Sequence, residues 1–199
     1  MDENGTKSKK GIKRPTSYMF DITSSKIALK ETVMKIISWN CKNGFDKTKQ
    51  DVIFSKFANV DIFVIQECRI KDVEELGYVE SWHGDGKDSD LGIIVFSKEY
   101  KVAKADYFDR ENRYVVPYNI SDAKKPFVLY AVWTKSGYEN YHVPVHKTLE
   151  SLSSSTEKVI FIGDFNTGSM QGSANAHWYE KLKKGFKEKD IYNCANAQE

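Results

Sequence analysis

The chain has 199 residues, 40% of them hydrophobic and 13% aromatic, at a mass of 22.9 kDa. That is one domain's worth of sequence with ample apolar material for a core, so disorder is excluded for most of its length. Thirty Lys and Arg against 28 Asp and Glu leave a net charge of +2, which argues against a dedicated nucleic-acid coat but permits one local basic groove.

Cys41, Cys68 and Cys194 form an odd, widely spaced set with no zinc spacing, pointing to a reducing compartment. No apolar run approaches about 18 residues, and no apolar stretch follows the N-terminal charges as a secretory signal requires. The expectation is a soluble, cytoplasmic protein without membrane contact.

Residues 1–33 hold seven basic and four acidic side chains, +3, which leaves −1 for the rest of the chain. They are expected to be a flexible basic extension, with 1–17 a polar tail, and the domain proper to occupy 34–199. A basic arm that binds nucleic acid is the alternative, but short charge runs are usually solvated chain. From Met34 onward, apolar strands alternate with helical or loop segments. Lys35–Cys41 is β-branched and aromatic-rich, as strands are. Lys49–Ala58 reads as a helix with Val52, Ile53 and Phe57 on one face. Asp61–Gln66 is nearly continuous apolar sequence, the pattern of a strand buried on both faces. Leu91–Ser97, Tyr114–Ile120, Pro126–Thr134 and Lys158–Ile162 repeat the strand signal. Val145–Leu152 and His177–Lys184 read as helices, Ser153–Ser155 and Trp82–Gly86 as loops. Such intermingling implies α/β or α+β layers.

Polar residues follow directly where three buried strands stop: Asn40 after KIISW, Gln66 and Glu67 after DIFVI, and Gly163-Asp164-Phe165-Asn166 after KVIFI. Strand ends are where layered α/β enzymes present catalytic groups. A carboxylate there is costly unless paired, hydrogen-bonded or metal-bound. Two carboxylates flanked by amides make a hard oxygen set suited to Mg²⁺ or Mn²⁺ rather than zinc. Taken singly, each has an ordinary reading, Asx turn or surface acid; the combination carries the weight.

The ordered motifs Ile37-Ser38-Trp39-Asn40, Ile65-Gln66-Glu67, Leu91-Gly92-Ile93 before Phe96-Ser97, and Ile162-Gly163-Asp164-Phe165-Asn166 resemble those of the endonuclease/exonuclease/phosphatase superfamily. The resemblance covers about residues 34–190 and implies an α+β fold, the DNase I-like four-layer α/β/β/α sandwich. It also implies that Glu67 is the principal Mg²⁺ (or Mn²⁺) ligand and that Asn40 helps hold metal and scissile phosphate. Asp164 would orient or deprotonate the attacking water, and Asn166 would donate to phosphate oxygens. The implied activity is metal-dependent phosphodiester hydrolysis of nuclease type, by in-line attack of water, with nucleic acid the expected substrate. A phosphatase acting on a phosphorylated lipid or small molecule is the alternative within the superfamily, and a non-catalytic remnant the alternative outside it.

Two departures from the family pattern stand out. The family's His or Tyr at the end of the central strand falls at or near Trp133, which becomes a substrate-binding candidate, although a core tryptophan is at least as good a reading. The family's closing Ser-Asp-His-type motif has no counterpart after Asp190, and His83, His142, His146 and His177 do not follow an Asp. The expectation is therefore a sandwich lacking its final strands. Lys42, Lys47, Lys49, Arg69 and Lys71 lie near the strand ends and could track a phosphate backbone, or be ordinary loop charge.

Overall fold

The computed structural model describes residues 18–20, 34–84, 90–135, 141–152, 158–167 and 172–192. In chain order its elements are β1 (Tyr18–Phe20), β2 (Ile36–Asn40), α1 (Lys47–Lys56), β3 (Ile62–Arg69), α2 (Ile70–Glu74), β4 (Trp82–Gly84), β5 (Leu91–Ser97) and β6 (Lys101–Lys104). They continue with β7 (Val115–Ser121), β8 (Phe127–Trp133), α3 (Val143–Ser151), β9 (Val159–Asp164) and α4 (Gly172–Glu188).

The continuous apolar runs are strands that serve two cores at once. Along β3, Ile62 and Val64 enter one cluster while Phe63 and Ile65 enter another. Along β8, Leu129, Ala131 and Trp133 face the first of these clusters, and Val128, Tyr130 and Val132 a third. Alternation with both faces apolar is what a sheet covered on both sides requires. One sheet runs β1-β2-β3-β5-β4, the other β6-β7-β8-β9. The shared cluster lies between the sheets, with Ile36, Val64, Ile93, Tyr118, Leu129 and Ile162 among its members.

Outside the first sheet, Phe54 of α1 meets Phe45 and Phe63 edge-on, with ring centroids 6.2 and 5.6 Å apart. Outside the second, α3 and α4 contribute Val145, Leu149 and Leu182. Helix, sheet, sheet, helix is the four-layer sandwich expected from the sequence.

Each sheet contains one parallel pair, β2 with β3 and β8 with β9, and is otherwise antiparallel. Parallel strands run in the same direction, so the polar residues where the β2–β3 and β8–β9 pairings end come out side by side. None of the described helices is long and apolar enough to cross a membrane.

Some expectations need correction. α1 buries Gln50 and Ile53, with Phe54 and Phe57 packed behind them, and turns Val52 outward at 44% exposure. Trp82–Gly84, expected in a loop, is the edge strand β4, and His83 is half-buried there with its ring edge on Phe108 at 4.7 Å. Within the expected N-terminal extension, Tyr18–Phe20 pairs antiparallel with β2. The 1–17 tail, the Ser153–Ser155 loop and Cys194 lie outside the described residues.

Candidate active site

The parallel β2–β3 pairing ends at Asn40 and Gln66, in register with each other, and the β8–β9 pairing ends likewise at Trp133 and Asp164. β3 itself runs on to Arg69, so Glu67, expected just past the strand, lies within it. The two pairs face each other across the open end of the inter-sheet space. Asn40 joins them: its Nδ2 donates to Glu67 Oε1 at 2.9 Å and to Asp164 Oδ2 at 2.8 Å. Its Oδ1 accepts from the backbone N–H of Lys42 at 3.0 Å, so the amide is held at both ends. Asn40, Glu67, Asp164 and Asn166 are half-buried, whereas the strand residues beneath them are almost wholly enclosed.

Glu67 reaches the site through an irregularity. The β3–β5 register slips between Gln66 and Cys68, which leaves Glu67 on a bulge at φ +61°. A bulge re-aims the extra side chain, here at the expense of a left-handed backbone that costs a non-glycine residue about 1 kcal/mol. The following turn offsets this. Lys42, Asn43 and Gly44 all have positive φ, which turns their N–H groups toward the site. Asn43 N donates to Glu67 Oε2 at 3.1 Å and Gly44 N to the Glu67 carbonyl at 2.7 Å.

That turn is braced from behind. Asp72 Oδ2 accepts from Phe45 N at 2.7 Å, and Gln50 Nε2 donates to the Phe45 carbonyl at 2.8 Å. Lys49 Nζ donates to the carbonyls of Gly44 at 2.7 Å and Lys42 at 3.1 Å. Lys49 is thus a brace of the turn, and Arg69 pairs with Asp90 at 3.2 Å. Of the five cations considered from sequence, Lys42, Lys47 and Lys71 are exposed, with Lys47 paired to Asp51 at 3.0 Å.

Asp164 arrives by a different route. Gly163 has φ +149°, and a Cβ there would stand 2.0 Å from the Val132 carbonyl oxygen, so only glycine lets β9 lie this close to β8. Beyond it, three bonds clamp the two strand ends together. Thr134 N donates to the Asp164 carbonyl at 3.0 Å, Thr134 Oγ1 to the Phe165 carbonyl at 2.5 Å, and Asn166 Nδ2 to the Thr134 carbonyl at 2.7 Å. Asn166 N also donates to Asp164 Oδ1 at 3.1 Å. Trp133 is buried in the inter-sheet core at 2% exposure, its ring beneath the Lys135 ammonium.

Beneath Asn40 lies a second polar pair. Gln66, 1% exposed, donates from Nε2 to Ser38 Oγ at 3.0 Å, while its buried Oε1 has no hydrogen-bond partner among the described residues. The neighbouring thiols are inert: burial pushes Cys41 up to about 12 and Cys68 well above the ordinary thiol range.

The site gathers two carboxylates whose oxygens converge on one amide nitrogen, with single backbone N–H groups on their other oxygens. A cation of high charge density fits between such donors, taking the remainder of its shell from water or phosphate, as Mg²⁺ does. Among the described residues, no group of three or more His, Cys, Asp and Glu side chains stands together as a metal cage. The structure brings together Asn40, Glu67, Asp164 and Asn166, which the sequence singles out, and sets Ser38, Asn43 and Thr134 around them, which it does not. The Asn43-Gly44 dipeptide, a strong turn signal, was the available clue to the turn.

No family profile and no curated protein matches the sequence. Solved structures do. The endonuclease domain of TRAS1, a telomere-specific non-LTR retrotransposon, superposes with a TM-score of 0.54 at 15% identity, over 78% of this chain and 72% of that one. The chain has the DNase I-like fold. Also similar are TDP2 from C. elegans (TM-score 0.48, 20% identity, 69% of this chain and 49% of that one) and an endonuclease/exonuclease/phosphatase family protein from Bacteroides thetaiotaomicron (0.47, 15%, 84% and 70%). The chain therefore spans about half the length of the TDP2 structure it matches. In the DNase I-like sandwich seen here, the cluster of Asn40, Glu67 and Asp164 crowns the inter-sheet core at the ends of the two parallel pairs.

Proposed function

We propose that this chain hydrolyses phosphodiesters with the help of Mg²⁺ or Mn²⁺, and that its substrate is nucleic acid. The observation that carries the reading is the single Asn40 amide donating to both Glu67 and Asp164. Two half-buried carboxylates drawn to one point repel each other, an arrangement better suited to a cation and a reacting phosphate than to structure alone. The endonuclease domain of TRAS1, which shares the fold, supports a nuclease over a phosphatase.

Glu67 and Asn40 would hold the metal, which supplies a Lewis acid for the phosphate oxygens and for the charge that develops on them. Asp164 accepts the proton of the attacking water. Its carboxylate is kept oriented by Asn166 N on Oδ1 and Asn40 on Oδ2. Asn166 spends one amide hydrogen on the Thr134 carbonyl, which fixes the group and aims the other at a phosphate oxygen. Water then displaces the leaving oxygen in line, without a covalent enzyme intermediate.

Nicking of supercoiled plasmid in Mg²⁺, with Glu67→Ala and Asp164→Asn beside the parent chain, tests the reading. Nicking that requires metal and both carboxylates is expected. Cleavage surviving both substitutions identifies a contaminant and sinks the catalytic claim. Phosphate release from an inositol phosphate, with plasmid untouched, moves the assignment to a phosphatase; metal binding with neither activity leaves a remnant.

A further inference from the structure

Glu67 is held in an uncommon backbone position, and its support reaches beyond the two backbone donors that touch it. Four consecutive N–H groups leave the turn after β2, each to a different acceptor atom. Lys42 N donates to Asn40 Oδ1 at 3.0 Å, Asn43 N to Glu67 Oε2 at 3.1 Å, Gly44 N to the Glu67 carbonyl at 2.7 Å, and Phe45 N to Asp72 Oδ2 at 2.7 Å. The first three bonds shape the site itself. The fourth ties the turn to α2.

Asp72 has an ordinary role within reach, since it is the third residue of α2 and stands where a capping carboxylate stands. The distances favour the turn. Oδ2 lies 3.4 Å from Arg69 N, the helix's own donor, which is long for an N–H bond, but 2.7 Å from Phe45 N, 27 residues away in sequence. Both ends of that bond are fixed. Phe45 and Val73, the neighbour of Asp72, are fully enclosed in the cluster between α1 and the first sheet. Gln50 of α1, 2% exposed, donates from Nε2 to the carbonyls of both Phe45 and Asp72, at 2.8 and 3.0 Å. One buried amide thus holds the turn and Asp72 at a set spacing. Lys42, Asn43 and Glu67 all have positive φ, a backbone state that non-glycine residues keep only where their surroundings impose it. Without Asp72 the turn relaxes, and Asn43 N no longer directs Glu67 Oε2.

We propose that Asp72 is a positioning residue for the metal-binding carboxylate: through Phe45 N and Asn43 N it sets the aim of Glu67, and with it the affinity of the site for a divalent cation. The assignment rests on the phosphodiesterase reading above.

The test is Mn²⁺ binding followed by electron paramagnetic resonance, which needs no turnover, with the Mg²⁺ dependence of plasmid nicking run beside it. Parent chain, Asp72→Ala, Asp72→Asn and Asp72→Glu are compared with Asn112→Ala, which removes two buried hydrogen bonds to α3 in the second half of the sandwich. Loss of a partner that orients a metal ligand costs about ten- to a hundredfold in affinity. Asp72→Ala is expected to weaken Mn²⁺ binding about tenfold and to raise the Mg²⁺ needed for half-maximal nicking by the same factor, with the rate at saturating Mg²⁺ nearly unchanged. Asp72→Asn keeps an oxygen for Phe45 N and should restore most of the affinity. Asp72→Glu keeps the charge but moves the oxygen by a methylene; it should show a smaller loss in the same direction, and it carries the comparison if Asp72→Ala does not fold. Asn112→Ala should lower the melting temperature and leave Mn²⁺ affinity as in the parent. Parent affinity in Asp72→Ala or Asp72→Glu, or an equal loss in Asn112→Ala, overturns this assignment alone. A parent that binds Mn²⁺ without nicking loses the catalytic reading, and Asp72 is then judged on affinity. A parent that neither binds Mn²⁺ nor nicks overturns the metal-dependent reading, and the role of Asp72 with it.

Discussion

The two halves of the sandwich deliver a carboxylate to the same point by opposite means. In the first half, Glu67 sits on a bulge at φ +61° and is held by a turn whose three successive residues also have positive φ. In the second, Asp164 continues a regular strand, and the special geometry is confined to Gly163 beneath it and Asn166 beyond. One carboxylate depends on local strain offset by backbone donors, the other on a close strand–strand approach. The first arrangement is adjustable and the second rigid, so equal insults to each should affect different properties.

The largest effect expected is on chemistry. Glu67→Gln or Asp164→Asn alone should slow plasmid nicking by about a thousandfold, the scale of losing one transition-state electrostatic contact, with circular dichroism unchanged. Next comes the contrast of glycines, read by urea unfolding. Gly163→Ala forces a Cβ to within 2.0 Å of a backbone oxygen, and should cost about 3 kcal/mol or more of stability. Gly44→Ala meets only Asp72 and Arg69 side-chain atoms, at 3.1 and 3.3 Å. It should cost about 1 kcal/mol through its φ of +114°, yet reduce nicking by shifting Asn43 N away from Glu67. If both glycines cost the same, the distinction between adjustable and rigid halves is wrong.

The polar pair beneath Asn40, Gln66 with Ser38, belongs wholly to the first half. Because the buried Gln66 Oε1 has no partner among the described residues, the double change Ser38→Ala with Gln66→Leu should raise stability by about 1 kcal/mol while lowering activity, measured by thermal melting and nicking. A drop in both would mark the pair as ordinary structure.

The smallest effect belongs to the outer helices of the second half. His142 stacks on Trp178 with centroids 3.5 Å apart, and His146 lies against Gly185 of α4. Burial, then the positive charges around them, lowers both imidazoles from the usual 6.5. His146 acts on His142, Lys181 on both, His177 on His142, and Glu150 partly opposes the shift at His146. The unfolded chain therefore binds these protons more tightly, and the stability present above pH 6.5 is lost as pH falls below it. Melting temperatures should decline modestly from pH 7 to pH 5, about where histidines titrate, and less so in His146→Leu.

The long strands were legible because burial on both faces leaves unbroken apolar runs, as in Ile62–Ile65. β6, sequence KVAK, and the three-residue β4 were not, since a short edge strand facing solvent carries no such pattern. Asn40, Glu67 and Asp164 stood out as polar residues where buried strands stop. The bulge beneath Glu67 was hidden because it arises from a register slip against β5, a property of pairing rather than of residue type. Thr134 was hidden for a similar reason: as the last residue of an expected strand it carries no signal until the fold sets it against the end of β9. Val52 misled because apolarity at a helical spacing does not say which way a helix is turned.

On the proposed function, Glu67 and Asp164, delivered separately, act as one centre through Asn40. A double-mutant cycle on the Mg²⁺-dependent nicking rate tests it most directly, using Glu67→Gln, Asp164→Asn and the two combined. Groups that work as a unit are not additive, so the double variant should lose little more than the worse single one. Losses that multiply would show two independent carboxylates and contradict the account.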